Sequence, residues 1–290
     1  MKQHIALVGL GVIGGTFAKA IHKHAPDAYT VSAIDTNEEA LKAALDDGVI
    51  AYGETKNRTI LQNADLVIIS LYPKALKTFL ETHHQDFKPG AIVTETSGIK
   101  QSVIAFIAPH IPPDIDFIYG HPMAGREKQG YAYSDASVFN NANYLISPTE
   151  ENNRENINWF TTFLKTLGFK RISEVTPPAH DALIGYTSQL THAIAVALMN
   201  SDDSARDTYK YVGDSFRDLT RIANINEYLW SELFLENKEA LLASFDTFEH
   251  ELRRLKTAIE TDNIQDMQDI FRQSSQRRLV FESADESRKG

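Results

Sequence analysis

The feature that most limits the fold of this chain is the hexapeptide Gly9-Leu10-Gly11-Val12-Ile13-Gly14. It follows a short apolar run, Ile5–Val8, and opens a helical pattern that continues through about Lys23. A strand that turns through such a loop into a helix commits the chain to a βα unit. Gly9 permits the tight turn, Gly11 lets the backbone approach a pyrophosphate, and Gly14 lets the helix pack on the strand. The phosphates would sit on the free N–H groups of the loop, Leu10, Val12 and Ile13 included, where the helix dipole favours anions. About twenty residues past Gly14, Asp35 ends the second apolar run, placed to accept both ribose hydroxyls of a dinucleotide. No arginine adjoins Asp35 to receive a 2′-phosphate, so the pattern favours NAD over NADP.

The first half alternates apolar runs with helical patterns, which predicts an α/β fold with a doubly wound, Rossmann-type parallel sheet. Strands are expected at Ile5–Val8, Tyr29–Ile34, Leu66–Ser70, Ala91–Thr94 and Phe117–Tyr119. Two later strands, Tyr144–Ser147 and Lys170–Ser173, flank a helix at Glu155–Leu167. After Pro177-Pro178 nearly everything reads helical, and the double proline marks a boundary between residues 1–176 and 177–290. The stretch His180–Asn200 is apolar on almost every side, the pattern of a helix buried all round. Leu241, Phe245, Phe248, Leu252, Leu255 and Ile259 recur at spacings of four and three, a seam for a core or a subunit interface. An all-helical C-terminal dimerisation domain, and a homodimer formed through it, are the expectation.

The formal charge of −10 disfavours nucleic acid and anionic membrane as partners, since either needs a basic face. An anionic substrate would instead need cations gathered locally, from Lys100, Arg126, Lys128, Arg217 and Arg221. The chain has no cysteine, which excludes disulfides and thiolate chemistry and fits a reducing, cytoplasmic setting. The N-terminal apolar run flows into the glycine loop and does not read as a signal peptide. No apolar run is expected to reach the ~20 residues of a bilayer span. The pairs His22/His24 and His83/His84 lack a convergent third ligand, so no metal site is expected.

Two loops after strands carry candidate chemistry, because open α/β sheets place ligands at the strand C-termini. One is Glu95-Thr96-Ser97-Gly98-Ile99-Lys100; the other is His121-Pro122-Met123-Ala124-Gly125-Arg126-Glu127. An alcohol oxidised by a nicotinamide must lose its hydroxyl proton as hydride leaves, and histidine suits that task near neutral pH. His121, with Ser97 nearby, is the expected catalytic pair. Downstream, Ser188, Gln189 and His192 share a helix face. Arg221 could bind a carboxylate bidentately, with Asp218 to orient it and Trp230 shortly after.

Together these segments resemble the prephenate dehydrogenases of tyrosine biosynthesis. The likeness rests on GLGVIGG, HPMAGRE, the run Ser188-Gln189-Leu190-Thr191-His192 and the segment Phe216–Trp230, FRDLTRIANINEYLW. The resemblance implies NAD-dependent oxidative decarboxylation of prephenate, a dicarboxylate, to 4-hydroxyphenylpyruvate. It assigns His121 to the ring hydroxyl, Arg221 to a substrate carboxylate, His192 to the side-chain pocket and Glu127 to the entrance, with Arg126 beside it. The chain departs from the family pattern at two places. The serine of Ser97-Gly98 is displaced by one position, and Gln189 and Thr191 replace a histidine and a proline of the usual helix motif. Arogenate dehydrogenase is the nearest alternative. A 3-hydroxyacid dehydrogenase is disfavoured because His180–Asn200 lacks a lysine. A non-catalytic NAD-sensing module is the alternative from another class.

Overall fold

In the computed structural model, residues 2–125 and 128–286 are described. Eight strands form one sheet: β1 (Gln3–Val8), β2 (Tyr29–Ile34), β3 (Tyr52–Glu54), β4 (Leu66–Ile69), β5 (Ile92–Glu95), β6 (Asp116–Met123), β7 (Asn143–Ser147) and β8 (Arg171–Glu174). Their spatial order is β3-β2-β1-β4-β5-β6-β7-β8. All neighbours are parallel except β6 and β7, which run antiparallel. Six helices connect them: α1 (Val12–His24), α2 (Glu38–Asp46), α3 (Ile60–Asn63), α4 (Pro73–His83), α5 (Gln101–Ile107) and α6 (Arg154–Thr166).

Alternation along the central strands explains the layers. Ile5, Leu7, Leu66 and Ile68 enter one core with Phe17 of α1 and Phe160 of α6. Ala6, Val8, Val67 and Ile69 enter a second core, on the opposite face, with Leu76 of α4 and Val103 of α5. Strand β4 is buried at every position, which is why it reads as an unbroken apolar run. The short β3 was not anticipated, because three residues around Gly53 carry no period.

The C-terminal end of β6 extends beyond the parallel part of the sheet. Pairing with β5 ends at Tyr119, opposite Glu95. Strand β6 continues through Gly120, His121, Pro122 and Met123, held only by the antiparallel β7, with His121 opposite Leu145. His121 therefore lies within a strand and not in a loop after it. Proline and glycine make the segment read as a loop, yet both fit a strand whose other edge is free of ladder partners. Gly120 is required by close packing, since a Cβ there would lie 2.2 Å from the Tyr144 hydroxyl.

Beyond β8 the chain is helical: α7 (Pro177–Ile184), a π turn at Gly185–Gln189, α8 (Leu190–Asn200), α9 (Asp214–Thr220), α10 (Glu227–Glu236), α11 (Lys238–Glu260) and α12 (Ile264–Glu286). Thr176 caps α7 by accepting from the Ala179 N–H. Two compact units result, dividing between Ala240 and Leu241. In the second, Arg254 ties α11 to α12 through Gln273 at 3.2 Å and Asp266 at 3.8 Å.

Two expectations for the stretch after Pro177 require correction. It is not buried all round within one chain: Leu183, Tyr186 and Met199 are exposed. Pro177–Asn200 is also long and apolar enough, by length and composition, to cross a membrane. Hydropathy does not distinguish such a span from an interface helix; this stretch buries His180, Asp181 and Gln189 in a polar network.

Candidate active site

The glycine loop has the shape a pyrophosphate needs. Gly9 adopts φ +87°, and a Cβ at Gly14 would lie 1.8 Å from the Gly9 carbonyl oxygen, so both must be glycine. At Gly11 nothing stands within 4 Å of where a Cβ would be, which leaves the backbone open to close approach. Asp35, at the end of β2, accepts from the Leu10 N–H at 2.5 Å and the Asn37 N–H at 2.7 Å, so its carboxylate is fixed beside the loop. The Ser70 hydroxyl, at the end of β4, is buried without a protein partner. An open backbone approach, an oriented carboxylate and an orphaned hydroxyl together fit a dinucleotide.

A cavity of about 780 Å³ begins at Gly11, Val12 and Ile13 and extends past Ser70, Gly98 and His121 to His192, Arg221 and Trp230. Its volume lies in the range of small-molecule sites. Gly9, Leu10, Gly14 and Asp35 do not line it, and the Leu10 N–H, expected to be free for a phosphate, is taken by Asp35.

His121 lines it between the glycine loop and Arg221 in the chain. Its Nδ1 lies 3.0 Å from Nε2 of His180, whose Nδ1 lies 2.8 Å from Oδ1 of Asp181. A carboxylate only accepts, so His180 donates from Nδ1 and accepts at Nε2. His121 then donates from Nδ1, which leaves its Nε2 as an acceptor, a tautomer assigned by the network. Asp181 is anchored in turn by the N–H groups of Lys100 and Gln101, each at 2.8 Å. Burial holds His121 well below the usual histidine range, with the neighbouring charges of His180 and Lys100 adding to the effect. Burial also lowers His180. For Asp181 burial acts upward, but hydrogen bonds from His180, Gln101 and Lys100 outweigh it and the carboxyl is lowered.

The Ser97 loop is built on a buried ion pair. Lys100 Nζ donates to Glu95 Oε1 at 2.7 Å, to the Ser97 carbonyl at 2.8 Å and to the Ile99 carbonyl at 3.1 Å. The Glu95 carboxylate accepts from the Ser97 N–H. Ser97 lines the cavity, but its hydroxyl donates to the Ile99 carbonyl at 3.0 Å. Gly98 is the residue set against His121: a Cβ there would lie 3.6 Å from Nε2.

Also lining the cavity, His192 donates from Nδ1 to the Ser188 carbonyl at 2.9 Å and packs against Trp230, the rings tilted by 31° with centroids 3.7 Å apart. Within the π turn, Gly185 approaches the Ala240 backbone so closely that a Cβ would lie 3.2 Å from it. Gln189, in place of the usual histidine, is buried and ties Leu233 to Asn237. Of the five cations considered, Lys128 and Arg221 line the cavity. Lys100 lies buried beneath it, and Arg217 is exposed beside Asp214. Arg126 and Glu127 lie outside the described residues. No cluster that could hold a metal occurs among the described residues.

The family profile "Prephenate dehydrogenase, nucleotide-binding domain" matches residues 17–173, and "Prephenate dehydrogenase, dimerization domain" matches residues 176–273. The chain belongs to the prephenate dehydrogenase family. Prephenate dehydrogenase of Bacillus subtilis is 29% identical over 94% of this chain and 73% of the relative. Cyclohexadienyl dehydrogenase of Zymomonas mobilis is 29% identical over 97% of each chain. Among solved structures, prephenate dehydrogenase from A. aeolicus in complex with hydroxyphenyl propionate and NAD+ superposes with a TM-score of 0.88. It is 26% identical and covers 97% of this chain and 99% of the other.

Sequence reasoning passed over His180, Asp181 and Glu95. The available signal was an adjacent His-Asp pair at the first turn of a helix otherwise rich in apolar residues, since such a pair is buried only with partners.

Proposed function

We propose that this member of the prephenate dehydrogenase family oxidises prephenate to 4-hydroxyphenylpyruvate with NAD. The observation that carries the reading is the 3.0 Å contact of His121 Nδ1 with His180, which assigns Nε2 as the acceptor of a residue lining the cavity that joins the glycine loop to Arg221. When bound, NAD supplies the hydride acceptor. His121 Nε2 takes the proton of the ring hydroxyl as the carbon that bears it gives up hydride. The bond to the ring carboxylate breaks, its electron pair completes the aromatic ring, and carbon dioxide leaves. The proton on His121 returns to the same oxygen, now phenolic, so no net proton is released. Arg221 holds a substrate carboxylate, a charge-assisted contact worth about 1.5–3 kcal/mol. His192, braced by Trp230, lines the side-chain pocket. Ser97 acts with His121 through the loop it shares with Gly98.

The chain works as a homodimer through its helical segment, from residue 177 onward, as the exposed Leu183, Tyr186 and Met199 and the matched dimerization profile support.

A second reading, use of arogenate, is favoured by Glu227, the one carboxylate lining the cavity among the described residues. It is the group available there to meet an ammonium. NADH formation with prephenate and with arogenate, each offered NAD and NADP, tests both readings. Prephenate with NAD is expected to be fastest, and faster turnover of arogenate would replace the first reading with the second.

A further inference from the structure

The imidazole of His121 does not end at its own ring. Nδ1 passes to His180 Nε2 at 3.0 Å, His180 Nδ1 to Asp181 at 2.8 Å, and Asp181 to two backbone N–H groups of the Glu95–Lys100 loop and α5. His180 and Asp181 are 0% and 1% exposed. The chain of bonds is therefore closed: it leads away from the cavity and ends on amides instead of reaching solvent. Most dehydrogenases must discharge the proton they remove. A decarboxylating oxidation that ends in a phenol needs that proton back on the same oxygen, and a dead-end chain suits this.

We infer that His180 and Asp181 are positioning residues that fix His121 in its Nε2-acceptor tautomer and hold the hydroxyl proton inside the site until the product oxygen reclaims it. The inference rests on the proposed reaction and adds to it two residues that do not touch the substrate. Without His180, the His121 Nδ1–H has no acceptor and the ring is free to take the other tautomer, whose Nε2–H repels the substrate hydroxyl proton. His180 also shares the positive charge that His121 acquires, with Asp181 as the counter-charge. Glu95, at the end of β5, and Lys100, on the loop after it, are paired with each other and leave the relay itself to the two histidines and Asp181.

Two variants of the full chain separate positioning from space-filling. His180→Leu fills the space without an acceptor; His180→Gln restores an acceptor near Nε2. His180→Leu should lower kcat about 10²-fold, the scale of a positioned acid–base group. KM for prephenate and affinity for NADH should change less than about threefold, and His180→Gln should recover about tenfold of the loss. A kcat for His180→Leu within twofold of the parent, or equal losses in both variants, would overturn the inference. Nitrogen-edited NMR of isotope-labelled histidine provides a readout independent of turnover. His121 should carry its proton on Nδ1 in the parent and in His180→Gln, and show mixed tautomers in His180→Leu. A parent His121 protonated on Nε2 overturns the inference even if the preparation is active. Failure of the parent to oxidise either prephenate or arogenate counts against the proposed reaction instead, and leaves the NMR result to decide the tautomer.

Discussion

The Lys100 ammonium lies 2.7 Å from the Glu95 carboxylate, and both side chains are fully removed from solvent. Burial lowers Lys100, and Glu95 and then Asp181 offset part of that. The pair fastens the loop that carries Ser97 and Gly98, so its worth lies in loop geometry. Removing one partner strands the other charge in the interior. Lys100→Met should cost about 3–5 kcal/mol of stability, the scale for breaking a buried pair from one side. Replacing both residues with apolar ones should cost less. Denaturant midpoints of the single and double variants check this, and a single variant as stable as the parent would contradict it.

Acid should destabilise the fold earlier than exposed carboxylates alone would bring about. His121 and His180 sit below their unfolded value of about 6.5, so on acidification the unfolded chain binds those protons first. Their contribution is present above about pH 6.5 and is lost as pH falls through the folded values. Asp181, lowered from about 3.9, adds a further loss at lower pH. The denaturant midpoint should fall between about pH 8 and 5, and fall less in His121→Asn. Equal slopes in the two proteins would remove His121 from this account.

Asp35→Ser should shift cofactor preference toward NADP, because a carboxylate repels a 2′-phosphate where serine does not. The variant also loses the anchor for the Leu10 and Asn37 N–H groups, so NAD affinity should drop at the same time. The ratio of kcat/KM values for the two cofactors is the measurement, and an unchanged ratio places the ribose elsewhere.

Arg221→Ala should act chiefly on KM for prephenate, by roughly 10- to 100-fold if one charge-assisted contact of about 1.5–3 kcal/mol is lost. Lys128 is the other cationic amine or guanidinium lining the cavity among the described residues. An unaltered KM would transfer the role to it.

Much of the sheet was legible because period and punctuation agree there. Ile5–Val8, the glycine loop and Asp35 specify one βα unit, and the unbroken run at Leu66–Ile69 can only be a strand covered on both faces. The strand extension through His121 was not legible, since its ladder is supplied by Asn143–Ile146, twenty or more residues later. Nor could the sequence show that a helical pattern from Pro177 to Asn200 is interrupted by a π turn, within which Gly185 packs closely on the Ala240 backbone. The pairing of His121 with His180 spans 59 positions and belongs to tertiary structure alone. The serine expected to face His121 turns to Ile99 because Lys100, held by Glu95, draws the loop carbonyls inward.

In the proposed reaction His121 accepts the substrate proton in an oxidation driven by NAD. NADH formation from prephenate, followed in the parent and in His121→Asn at matched, saturating NAD, tests it most directly. The parent should turn over briskly, and kcat should be lower by about 10²–10⁴ in the variant, with NAD binding retained. Near-normal turnover by His121→Asn would contradict it.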